Sequence, residues 1–137
     1  MAGGAVLPYR TGVDLSPGLT GAVELHVNDA DTAAALGSGD VDVLATPRLV
    51  ALCEQATCTA IAGRLAPGET SVAKRVQFDH LAPVAPGSAV RAEATLDRIE
   101  GRRLTFSVSV TDSSGLVGAG KVTRVVVERA AFMAKAR

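Results

Sequence analysis

The spacing of apolar residues changes period along the chain, and each change predicts an element. Val23, Leu25 and Val27 alternate with Ala22, Glu24 and His26, the period-two pattern of a half-buried strand. From Asn28 to Asp40 the residues are small and polar, among them Asp29, Asp31, Gly37, Ser38 and Gly39, which predicts a loop or a weak short helix. The stretch from about Thr46 to Leu65 is then almost entirely apolar and predicts one long helix. Thr46 before Pro47 marks its start, because threonine accepts an N-terminal N–H and proline suits the first helical position. Gly63 and the Pro67-Gly68 pair close it. A helix apolar on nearly every side is expected to be buried all round.

Strands follow. Ser71 to Asp79 carries Val72, Val76 and Phe78, and the Pro-rich turn Ala82-Pro83-Val84-Ala85-Pro86-Gly87 comes next. Ala89 to Ile99, Arg103 to Thr111 and Val117 to Glu128 are separated by the turns Glu100-Gly101-Arg102 and Asp112-Ser113-Ser114-Gly115. Leu104, Phe106, Val108 and Val110 alternate without a break. Connections this short leave no room for crossover helices, so these late strands form antiparallel hairpins. The simplest way to bury the helix is to wrap a curved sheet around it. The predicted class is therefore α+β, with the hotdog architecture, in a single domain over residues 1–137 led in by an extended stretch at 1–20. Such a sheet has an edge that a second copy can cover, which predicts a homodimer or a dimer of dimers.

Composition narrows this picture. The chain is 47% hydrophobic but only 3% aromatic, so its core must be built from Val, Leu and Ala. Fourteen Lys and Arg balance fourteen Asp and Glu, which leaves no electrostatic footprint for nucleic acid. Arg91, Arg98, Arg102 and Arg103, and then Lys121, Arg124, Arg129, Lys135 and Arg137, read as solvated strand faces and a tail, or as a patch for a phosphorylated small ligand. Cys53 and Cys58 are five apart on a helix and point in different directions. Two free buried thiols suit a reducing cytoplasm. Met1 to Leu7 lacks a signal-peptide pattern, and no apolar run reaches the ~18 residues of a membrane span, so a soluble cytoplasmic protein is expected.

The candidate chemistry is sparse. Glu54 lies near the middle of the apolar helix, and an ionised carboxylate is expensive to bury alone; it escapes along a narrow polar edge or sits in a site. Thr46 precedes it by eight residues, on the same side within about 80°, so both can approach one cavity. His80 ends a strand beside a loop, as catalytic bases often do, or is a surface histidine. His26 is expected in solvent. Two histidines without His-x-x-His or Cys-x-x-Cys spacing predict no metal site. No Gly-x-Ser-x-Gly elbow, P-loop or Gly-x-Gly-x-x-Gly occurs.

Several segments together resemble the fluoroacetyl-CoA thioesterase family of hotdog proteins. They are Ala45-Thr46 through Glu54, Leu65-Ala66-Pro67-Gly68-Glu69-Thr70-Ser71, the His80 to Gly87 spacing, Glu100-Gly101-Arg102-Arg103-Leu104, and Arg124 to Lys135 with Phe132. The similarity spans Val41 to Lys135. It implies a homodimeric acyl-CoA thioesterase with its site between subunits, needing no cofactor beyond the coenzyme A of the substrate. It also implies a catalytic Thr46, Glu54 and His80, with Ala73 and Arg124 against the substrate. The family has Gly where Ala73 stands, and bulky aromatics ahead of the helix, where residues 29–43 hold none. A short or medium acyl chain other than fluoroacetyl is thus expected. In this reading Glu54 is nucleophile or base, His80 the proton shuttle and Thr46 the orienting donor. The rivals are a hotdog dehydratase, whose Asp-x-Asn-Pro-x-His and His-Phe-Pro-Gly elements are both missing, a non-catalytic acyl-CoA binding or sensing protein, and a ligand-free scaffold.

Overall fold

The computed structural model describes residues 14–137; residues 1–13 of the expected lead-in lie outside the described residues. Strand β1 runs Thr20–His26, followed by a 3-10 turn at Asp29–Asp31 and a single-turn helix, α1, at Ala33–Leu36. The long helix α2 is Thr46–Ala60. Strands β2 (Glu69–His80), β3 (Ala89–Glu100), β4 (Arg103–Asp112) and β5 (Gly115–Glu128) come next, and α3 (Arg129–Met133) ends the chain. All pairings are antiparallel, in the order β1-β3-β4-β5-β2. The sheet curls around α2, which is the α+β hotdog arrangement the sequence predicts.

The alternation in β4 has the consequence expected of it. Leu104, Phe106, Val108 and Val110 all point into the core, opposite Leu96, Ala94 and Ala92 of β3. β3–β4 and β4–β5 are hairpins. The Pro-rich segment does not make a third: β2 pairs with β5, so residues 81–88 cross from one edge of the sheet towards the other. β1 and β2 are left as the two edges.

Three expectations about α2 need correction. It stops at Ala60 rather than near Leu65, and Gly63 takes a left-handed φ of 74° in the turn beyond. Ala45, not Thr46, is the N-cap, with no side-chain cap at all. The helix is not buried all round: Leu49, Leu52, Cys53, Ala56, Thr57 and Ala60 are covered while Ala51, Gln55, Cys58 and Thr59 are exposed. Alanine and threonine lose little by facing water, so an apolar-looking run can still be amphipathic. Cys58 is therefore an exposed thiol, not the buried one expected. Among the described residues no helix is long and apolar enough to cross a membrane.

The helix approaches β1 very closely at Gly21. A Cβ there would fall 2.6 Å from the Ala56 carbonyl oxygen and closer still to the Ala60 nitrogen. Gly21→Ala is expected to lower stability by about 1–3 kcal/mol through this overpacking, read from urea unfolding, whereas Gly39→Ala, whose Cβ meets only the Ala33 methyl at 3.4 Å, should stay within about 0.5 kcal/mol of the parent. Equal effects would place the helix further from β1. Cys53 lies in the core, where burial and then the neighbouring Glu54 charge push its thiol up from 9.0 to about 12. In a Cys58→Ser background it should react with DTNB at pH 8 only at the rate of unfolding; rapid labelling of the native protein would contradict its burial.

Candidate active site

The start of α2 is held by polar contacts that the sequence pattern concealed. Asp31, buried to 8% exposure, accepts from Arg48 Nε at 3.0 Å and from the Asn28 N–H at 2.9 Å. Asn28 and Asp31 form a reciprocal capping box around the 3-10 turn, and Ala45 N–H donates to the Asp31 carbonyl at 2.9 Å. This clamp joins the polar loop to the first turn of the helix. Reading residues 28–40 as a loop or weak helix missed it, although the Asn-x-x-Asp spacing was there to be read.

With Ala45 as N-cap, the Thr46 hydroxyl is free to do something else. Its Oγ1 lies 2.8 Å from His80 Nδ1. The hydroxyl donates when the ring carries its proton on Nε2, and Nδ1–H donates to the hydroxyl when it does not. β2 delivers His80 as its last residue, and the chain beyond is pinned where Leu81 and Ala82 N–H both donate to the Val117 carbonyl at 2.7 and 3.1 Å. The other ring nitrogen, Nε2, is buried and has no hydrogen-bond partner among the described residues. Leaving such a group unpaired costs about 1–3 kcal/mol, so its position is held by the surrounding structure rather than by a bond of its own.

Glu54 stands apart from this pair. Eight residues along an α-helix is about 12 Å of axial rise, and its half-buried carboxylate makes no hydrogen bond or ion pair among the described residues. Arg124 and Ala73 face each other across β5 and β2. Arg124 occupies an inward position between Val122 and Val126 and is only 6% exposed. Its Nε donates to Ser71 Oγ at 2.8 Å, Nη2 to the Ser71 carbonyl at 3.0 Å and Nη1 to Thr57 Oγ1 at 3.4 Å. Thr57 in turn donates to the Glu54 carbonyl at 2.6 Å. None of these partners is a carboxylate, so a cation is held in the interior by neutral oxygens alone.

The structure brings Thr46 to His80 and Ala73 to Arg124, and leaves Glu54 about two helical turns along α2 from Thr46. His26 is exposed, as expected. Arg98, Arg103 and Lys121 lie with Lys74 and Arg75 around a shallow recess on the outer face of the sheet, where Arg98 and Lys121 pair with Glu100 and Asp97. No cluster of three or more His, Cys, Asp or Glu suited to a metal occurs among the described residues.

Comparison with known proteins gives this geometry a context. The family model described as fluoroacetyl-CoA-specific thioesterase matches residues 27–130. The fluoroacetyl-CoA thioesterase of Streptantibioticus cattleyicolor is 38% identical over 96 residues, covering 70% of this chain and 69% of that protein. A threonine-to-serine mutant of a fluoroacetyl-CoA thioesterase, solved with acetyl-CoA, superposes with a TM-score of 0.83 at 31% identity, covering 88% of this chain and 96% of that one. A Thermus thermophilus thioesterase superfamily member superposes with a TM-score of 0.82 at 29% identity, covering 89% and 90%. A long helix in a curled five-stranded sheet, a threonine bonded to a histidine at its start, and these similarities agree: the chain belongs to the fluoroacetyl-CoA-specific thioesterase family, and is a thioester hydrolase of hotdog fold.

Proposed function

We propose that this protein hydrolyses acyl-CoA thioesters to a free acid and coenzyme A, using Thr46, His80 and Glu54. The observation that carries the reading is the Thr46–His80 hydrogen bond with His80 Nε2 buried and unpartnered. A nitrogen of that kind is poised to meet a group that arrives with the substrate. Histidine, with an ordinary pKa near ~6.5, moves protons at neutral pH.

The chemistry runs as follows. As a base, Glu54 takes a proton from water while the oxygen adds to the thioester carbonyl carbon; as a nucleophile, its carboxylate adds directly and water later opens the anhydride. Either way negative charge develops on the carbonyl oxygen. The Thr46 hydroxyl, with N–H groups at a helix start that carries no side-chain cap, supplies donors for it. The C–S bond then breaks as His80, protonated on both ring nitrogens, gives its Nε2 proton to the departing thiolate; its Nδ1–H donates to Thr46 Oγ1, which leaves the hydroxyl hydrogen for the oxyanion. The proton released from water passes to solvent, and solvent reprotonates the ring. Arg124, a buried cation facing the helix near Thr57, and Ala73 beside it hold the substrate from the sheet side.

A second copy of the chain joins these residues in this reading. β2 is a twelve-residue edge strand, and such an edge is a template for pairing. Antiparallel pairing of β2 with its two-fold mate turns the His80 end of one strand towards the Ser71–Ala73 end of the other. Thr46 and His80 of one subunit then share a cavity with the partner's Glu54, in a homodimer built on the β2 edge of each copy.

Free-thiol release from acyl-CoAs tests the assignment. His80→Ala and Glu54→Ala should each keep the fold and lose at least about 100-fold in turnover, and parental rates in either would refute its role. Binding without turnover in the parent would identify a sequestering or sensing protein instead. Mixing the two inactive variants after mild dissociation should restore about a quarter of parental activity if each site draws on both subunits, since half the dimers are mixed and carry one intact site. No recovery would place both residues in one subunit's site.

A further inference from the structure

We infer that the groove beside Thr46 and His80 receives the acyl chain, and that it selects apolar chains longer than acetyl; this deepens the proposed thioester hydrolysis and rests on it. The groove encloses about 330 Å³ between the residues that precede α2 and the residues that follow β2. Ala33, Val41, Val43, Leu44, Leu81 and Pro83 line it together with Thr46 and His80. No Asp, Glu, Lys or Arg lines it. A carbonyl placed against the Thr46 hydroxyl and His80 therefore leaves its acyl substituent facing an apolar trench.

The surface around the groove carries a second sign. Val41 and Leu81 are 54% and 59% exposed, although both belong to the lining. Leu36, in the same connecting segment, is 49% exposed, and so is Leu116 to 51%, next to the Val117 carbonyl that anchors Leu81 and Ala82. Two of the six large exposed hydrophobics among the described residues, Val41 and Leu81, thus line one groove. Exposed apolar groups gathered in this way mark a binding surface rather than random exposure. The trench is also unobstructed: Ser38 and Gly39 are the lining residues at its loop side, and neither side chain is long enough to cap a two-carbon acyl group. A chain of several carbons gains contact with Val41, Val43, Leu81 and Pro83 that acetyl cannot reach.

The test is kcat/KM for acetyl-, butanoyl-, hexanoyl- and octanoyl-CoA with the intact protein. It should rise about fourfold per methylene buried until the chain outgrows the groove. Val41→Asp and Ser38→Phe, one charging the wall and one filling the trench, should each lower the hexanoyl-to-acetyl ratio at least about tenfold. Flat or falling values from acetyl upward in the parent, or a ratio that neither variant moves, would overturn the inference. Val41→Asp that shifts the sedimentation coefficient but not the ratio would also overturn it, by assigning the patch to a second copy of the chain. If no thioester is hydrolysed, the proposed function falls separately, and calorimetric titration with acetyl- and hexanoyl-CoA still decides the groove: tighter hexanoyl binding lost in Val41→Asp supports it, and equal binding overturns it.

Discussion

α2 lies as deep in the sheet as it does because β1 presents no Cβ at Gly21, where the backbone of Ala56 and Ala60 comes within contact distance. In a chain with few aromatics, the core reaches interior packing density by bringing backbones together rather than by filling space with large side chains. Alanines on the buried face of the helix and alanines at 92 and 94 in β3 serve the same end. The depth of the helix decides the height of its first turn over the end of β2. The Thr46–His80 contact is a consequence of that height, as is the level at which Glu54 faces the sheet.

Polar groups in this interior are few. Asp31 is buried but satisfied by Arg48 and the Asn28 N–H, so the loop that borders the groove is joined rigidly to the helix start. Arg124 replaces a hydrophobe in β5 and is held by Ser71 and Thr57. A buried cation whose hydrogen-bond partners among the described residues are all neutral is poor for stability. His80 Nε2 has no hydrogen-bond partner among the described residues. Two of these three groups, Arg124 and His80, are ones the proposed chemistry uses, and the third ties the polar loop to the start of α2.

Much of this was legible in the amino-acid sequence, for reasons that can be named. Period-two alternation from Leu104 to Val110 and the Gly-containing turns at 101 and 115 are local, and strand existence and hairpin order follow from local signals. The long helix was legible for the same reason. Its true end was not, because alanine and threonine between Thr46 and Leu65 are compatible with either face. Candidate residues Thr46, Glu54, His80, Ala73 and Arg124 came from motif spacing and family resemblance, which name residue types without placing them.

Placement was decided by tertiary structure. Whether Thr46 caps its helix or bonds His80 depends on where β2 ends, 34 residues later, and no local rule carries that information. Whether β2 pairs with β3 or β5 is likewise a choice made by the whole sheet, because hydrogen-bonding edges are interchangeable until the hydrophobic faces must coincide. The sequence by itself determined the elements, the class and the chemical inventory, since these rest on periodicity and side-chain type. Only the folded chain decided that threonine and histidine meet and that an apolar groove opens beside them, since distances between residues remote in sequence are set by packing.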